Sequence, residues 1–130
     1  MKNKIRLRSL AFIATTPLVV VSFSPAAFAG SLQWAGSTSG LATGTSDTWD
    51  ANTTANWSDG VGLVNWPAPG GTDDDAVFAG TAGTVTITTV TANDITFNTN
   101  GYTLSSGTLT LNGSTPTITN TSGINATISS

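Results

Sequence analysis

From Ala76 onward, apolar side chains alternate with Thr, Ser or Asn in short runs, each closed by a turn. The runs are Thr84-Val-Thr-Ile-Thr, Asp94-Ile-Thr-Phe-Asn, Tyr102-Thr-Leu, Thr108-Leu-Thr-Leu-Asn, Thr117-Ile-Thr and Ala126-Thr-Ile-Ser. A period of two is that of a strand with one buried face, whereas a helix repeats near 3.6. Val85 and Ile87, Ile95 and Phe97, Tyr102 and Leu104, and Leu109 and Leu111 therefore share an inner side. The β-branched Thr, which favours extended backbone, takes the outer one. Run starts recur about every 7 to 10 residues, with Asn100-Gly101, Ser106-Gly107 and Asn112-Gly113 at breaks. Such spacing fits a β-sandwich, a hairpin meander or a parallel β-solenoid. Short strands, a uniformly aliphatic inner face and stackable Thr and Asn outside favour the solenoid, while Asn-Gly keeps an antiparallel start open.

Chemistry is limited by what is missing. After Ala29 there is no Lys, Arg, His, Cys or Glu, and the seven acidic residues are all Asp. No His or Lys is present after Ala29 to activate the many Ser and Thr hydroxyls, and no cation to steady an acidic polysaccharide in a lyase site. Two Asp at the right separation would suit glycoside hydrolysis, but none falls in such a constellation. The chain is thus expected not to be an enzyme. Nucleic-acid partners are excluded in the same way, because phosphate binding depends on Lys and Arg. With no Cys, stability must come from packing and backbone hydrogen bonds.

All four cations, Lys2, Lys4, Arg6 and Arg8, open the chain. An apolar stretch from Leu10 to Phe23 follows, then Ala27-Phe28-Ala29 before Gly30, the pattern of a helical secretory signal cleaved after Ala29. Thr15, Thr16 and Pro17 interrupt the stretch, which falls short of the roughly 20 apolar residues of a membrane span. The exit has no Cys for lipid attachment, and Leu7 separates the two arginines, so a twin-arginine signal is absent. Losing the four cations changes the net charge from −3 to the −7 of seven carboxylates.

Between this leader and Asp75 the sequence is rich in Gly, Ser and Asn, and looks loop-like. It nevertheless holds Trp34, Trp49, Trp57 and Trp66, and is punctuated by Pro67-Ala-Pro-Gly-Gly71. A stacked strand array exposes an apolar end and unpaired backbone, and these four rings with Phe78 are the expected structural cap over that end. The rival reading is a small secreted carbohydrate-binding domain in which exposed tryptophans stack on sugars. Asp73-Asp74-Asp75 offers oxygens to Ca²⁺, but consecutive positions do not converge on one ion, so a solvated turn is the reading preferred. Asn-x-Ser/Thr occurs at Asn52, Asn56, Asn112, Asn120 and Asn125, as expected by chance in such a composition.

Taken in order, Ser46-Asp-Thr-Trp-Asp50, Asn56-Trp57-Ser58, Trp66, Asp74-Asp-Ala-Val-Phe78, Gly83-Thr-Val-Thr-Ile87 and Ile95-Thr-Phe-Asn-Thr-Asn-Gly-Tyr-Thr-Leu104 resemble the opening of bacterial autotransporter-associated β-strand repeat proteins. The likeness runs from about residue 46 to 128. It implies an all-β fold, the start of a right-handed parallel β-helix with a Trp-rich N-terminal cap, in a surface-displayed or released passenger used for display or adhesion. The organisation expected is a signal peptide at 1–29, a cap segment at 30–75 and first coils at 76–130. Ser106-Gly-Thr-Leu-Thr-Leu-Asn-Gly113 begins like the family's Gly-rich repeat without its usual continuation, and Ile128-Ser-Ser130 lacks the amphipathic strands of a translocator barrel. The expectation is therefore a shortened array whose open C-terminal edge invites self-association, with cell-surface or glycan contact and no cofactor.

Overall fold

The computed structural model describes residues 30–36, 44–67 and 74–130. The expected signal segment, its cleavage position Ala29 and Asp73 lie outside the described residues. Those residues form strands without a helix: β1 (Ser31–Trp34), β2 (Asp47–Trp49), β3 (Trp57–Ser58), β4 (Leu63–Val64), β5 (Asp75–Phe78), β6 (Thr84–Ile87), β7 (Thr89–Ala92), β8 (Ile95–Phe97), β9 (Thr103–Ser105), β10 (Thr108–Leu111), β11 (Ile118–Asn120) and β12 (Thr127–Ser129).

Three parallel stacks organise them. One joins β1, β5, β8 and β11, a second joins β2, β6, β9 and β12, and a third joins β7 and β10. The register makes the order plain, since Ala76 pairs with Ile95, Thr84 with Thr103 and Thr89 with Thr108, each nineteen residues on. The next turn is longer: Ile95 pairs with Ile118 and Thr103 with Thr127. The chain thus visits the stacks in one sequence on each pass, an arrangement compatible with a parallel β-helix. The hairpin alternative suggested by Asn-Gly is set aside here, because antiparallel pairing among the described residues is confined to β1 with β3 and β3 with β4.

The alternation buries what the sequence says it should. Val85, Ile87, Ile95, Phe97, Tyr102 and Leu104 are buried, joined by Ala76, Phe78, Val90 and Ala92. Leu109 and Leu111 are only half-buried, packed against the core in the late coil. Tight corners separate the faces. Between β9 and β10, Ser106 (φ 64°) and Gly107 (φ 57°) both adopt the left-handed conformation. A side chain at Gly107 would run into the carbonyls of Thr88 and Ile87 on the preceding turn, so close backbone approach demands glycine there.

One expectation needs revising. The segment read as loop-like carries β1 to β4, and β1 and β2 head two of the parallel stacks. β3 and β4, two residues each, are too short to display an alternation, while β1 and β2 are single runs set among Gly, Ser and Asn and not members of a recurring series.

Candidate functional site

At the N-terminal end of the stacks, Trp34, Trp49, Trp57 and Trp66 are each at most 1% exposed. Trp34 and Trp49 are the inward residues of β1 and β2, Trp57 arrives on β3, and Trp66 bridges to Ala51. Their rings meet edge to face: Trp34 with Trp57 at 5.1 Å, Trp49 with Trp57 at 5.0 Å and Trp49 with Trp66 at 4.9 Å between centroids. This is the packing the aromatic quadrupole favours. Phe78 touches Trp34, Trp49 and Trp57 on one side and stacks on Phe97 at 5.1 Å on the other. The five residues expected to form the cap are therefore gathered in one cluster, continuous with the aliphatic core.

Polar edges pin the cluster. Trp34 Nε1 donates to the Thr45 carbonyl and Trp66 Nε1 to the Thr91 carbonyl, both at 2.9 Å. Asn56 is buried and its Nδ2 donates to Thr48 O at 2.7 Å, while its Oδ1 and the Nε1 atoms of Trp49 and Trp57 have no hydrogen-bond partner. Tyr102 closes the far side. Its hydroxyl donates toward the carbonyls of Ala79 and Thr81, and burial pushes its pKa up to about 12. Neither Asn56 nor Tyr102 stands out in the sequence by any motif for this role.

Burial of all four indoles corrects the sugar-platform reading: stacking on a sugar needs an exposed ring face, and none is offered. The acidic run also resolves into structural contacts. Asp74 Oδ1 accepts from Gly30 N at 2.9 Å, and Asp75 Oδ1 accepts from Asn93 Nδ2 at 2.9 Å and Asp94 N at 3.3 Å. Asp94 in turn accepts from Thr117 N at 2.7 Å, so carboxylates at this corner tie one coil to the next. No group of three potential metal ligands occurs among the described residues.

The outer surface is ordered as well. On the second stack Thr84, Thr103 and Thr127 form one column and Thr86, Ser105 and Ser129 another, headed by Thr48. On the third stack Thr89 aligns with Thr108 and Thr91 with Thr110. The first stack is mixed, with Gln33, Val77, Thr96 and Thr119 in its outward column. Among the side chains of those hydroxyl columns, only Ser129 makes an intramolecular hydrogen bond, a long one to the Leu104 carbonyl at 3.4 Å. Hydroxyls at corners behave differently, since Thr54, Thr117 and Thr121 bond to Asp50, Asp94 and Asn98.

At the opposite end from the tryptophans, β11 and β12 are exposed throughout, with Ile118 at 49% and Ile128 at 36%. The two ends of the stack thus differ in chemistry.

No protein-family model and no solved structure matches the chain. It is 39% identical over 119 residues, 87% of its own length, to the adhesin BmaC autotransporter of Brucella suis biovar 1 (strain 1330). The chain spans 4% of the length of that protein.

Proposed function

We propose that the chain is the opening segment of an exported, adhesion-type autotransporter passenger whose body is a right-handed parallel β-helix. The observation that carries this is the equal nineteen-residue advance of all three strand stacks from the coil of β5, β6 and β7 to that of β8, β9 and β10, found in a chain similar over most of its length to an autotransporter adhesin. Residues 1–29 act as the cleaved export signal, and Trp34, Trp49, Trp57, Trp66 and Phe78 seal the first coil. A sealed end removes the apolar surface and unpaired edge that would otherwise recruit stray strands. The other end, with Ile118 and Ile128 uncovered, accepts further strands, from a longer chain or a second copy.

The module works by presentation rather than catalysis. Its Asp residues hold corners together, the carboxylates beside Thr54 and Thr117 serving as hydrogen-bond acceptors there, and no cofactor or nucleic acid is required. The test is to produce the chain, fused to its native downstream sequence, in a Gram-negative host. The processed product should begin at Gly30 by N-terminal sequencing, be labelled by antibody on intact cells, and raise cell attachment. An unprocessed chain confined to the cytoplasm would overturn the reading.

A further inference from the structure

We propose that the two hydroxyl-bearing faces, β6–β9–β12 and β7–β10, form a binding surface for a neutral, extended polysaccharide. The proposal rests on the adhesion reading above and names its ligand class. Every outward position on these faces within the paired strands is Thr or Ser, whereas the first stack mixes Gln33 and Val77 with Thr. Strand propensity alone does not produce that sidedness, because Val, Ile and Tyr suit a strand as well as Thr does. Apart from Ser129, the hydroxyls of these columns make no intramolecular hydrogen bond, while those of Thr54, Thr117 and Thr121 at the corners are consumed internally.

Elimination identifies the partner. Nucleic acid and anionic lipids or glycans need cations, and outside residues 1–29 the chain has none. Protein interfaces centre on Trp, Tyr and Arg anchors, which these faces lack. A hydroxyl-bearing neutral polymer remains. Rungs about 4.8 Å apart and alternate residues about 6.6 Å apart set the hydroxyls on a regular grid. One such hydrogen bond, exchanged for one to water, contributes little. A repeating chain engages many at once, which is where affinity arises. Thr is stiff about χ1, so little rotamer freedom is lost when the grid is occupied.

The processed product that begins at Gly30 is co-sedimented with microcrystalline cellulose and with chitin, against heparin beads, at low and high salt. Retention is expected on at least one neutral polymer, unchanged by salt, and absent on heparin. The triple substitution Thr84→Val, Thr103→Val, Thr127→Val removes hydroxyls while keeping shape and strand preference, and should weaken retention at least tenfold. Thr96→Val with Thr119→Val, on the mixed face, should leave it unchanged. No retention on either neutral polymer, or equal loss in both variants, overturns the proposal. If attachment of intact cells persists in that case, the adhesion reading survives while this ligand class does not.

Discussion

At the scale of single residues, the inner surface is fixed by where polar edges of aromatic side chains find partners. Trp66 and Trp57 are equally buried, yet only Trp66 has its indole N–H satisfied, by Thr91 O. Trp66→Phe leaves that carbonyl unpaired, at a cost of about 1–3 kcal/mol beyond the lost ring volume, whereas Trp57→Phe removes an N–H that had no partner. Urea denaturation should therefore rank Trp66→Phe as clearly the more destabilising. Tyr102 is a second case. Because burial raises its pKa from 10.0 to about 12, the folded state holds the proton that the unfolded chain gives up. Its contribution is complete below pH 10 and is lost as pH rises toward 12. Thermal melts across that window should fall more steeply for the native chain than for Tyr102→Phe. At neutral pH the variant should be weaker by about 1 kcal/mol, having lost its hydrogen bonds to the corner carbonyls.

At the scale of elements, what the sequence reveals depends on whether an alternating run is bounded by turn residues. The runs that became β6, β8, β9 and β10 are legible because alternation and turn residues agree, and their inner residues lie where a period of two places them. β7 is not legible, since Thr88 continues the Thr-rich run of β6 and a one-residue corner leaves no turn signature. β3 and β4 were invisible for another reason: a hairpin of two-residue strands has no periodicity, and its turn is defined by a side chain. Asp59 Oδ1 accepts from the backbone N–H of Val61 and Gly62 at 2.8 Å each. The N–H groups of Gly62 and Val61 hold its carboxyl below the ordinary value of 3.8. That stabilisation is present above pH 3.8 and disappears as pH falls through the lowered value. Acidification should thus lower the protection of the Val61 and Gly62 amides, relative to intrinsic exchange at the same pH, before the parallel stacks respond, and Asp59→Ala should show the lowered protection at every pH. The tryptophans were legible as buried mass but not as a constellation, because β1, β2, β3 and the Trp66 bridge converge only through long-range pairing.

At the scale of the molecule, stability should run as a gradient along the stacking direction. In arrays whose coils touch only their neighbours, each coil's stability is its own plus that of its interfaces. The tryptophan end has a dense aromatic interface and the antiparallel hairpin over it. In the middle coils β5, β6, β8 and β9 have neighbours on both sides and a fully buried inner face. The last strands, β11 and β12, have a neighbour on one side only, and their apolar residues remain partly in water. Opening free energies in such a system range from near zero at a fraying edge to the global value in the core. Hydrogen exchange read by mass spectrometry should therefore show slow amides in β5, β6, β8 and β9 and fast ones in β11 and β12. Tryptophan emission should stay blue-shifted while the late strands exchange, because the indoles sit at the other end. Adding a further coil after Ser130, built on the 95–114 sequence, should slow exchange in β11 and β12 and leave β1 and β2 unchanged. Uniform protection along the chain would mean that the two ends are energetically alike, and the structural contrast between the sealed and the open end would then have no thermodynamic counterpart.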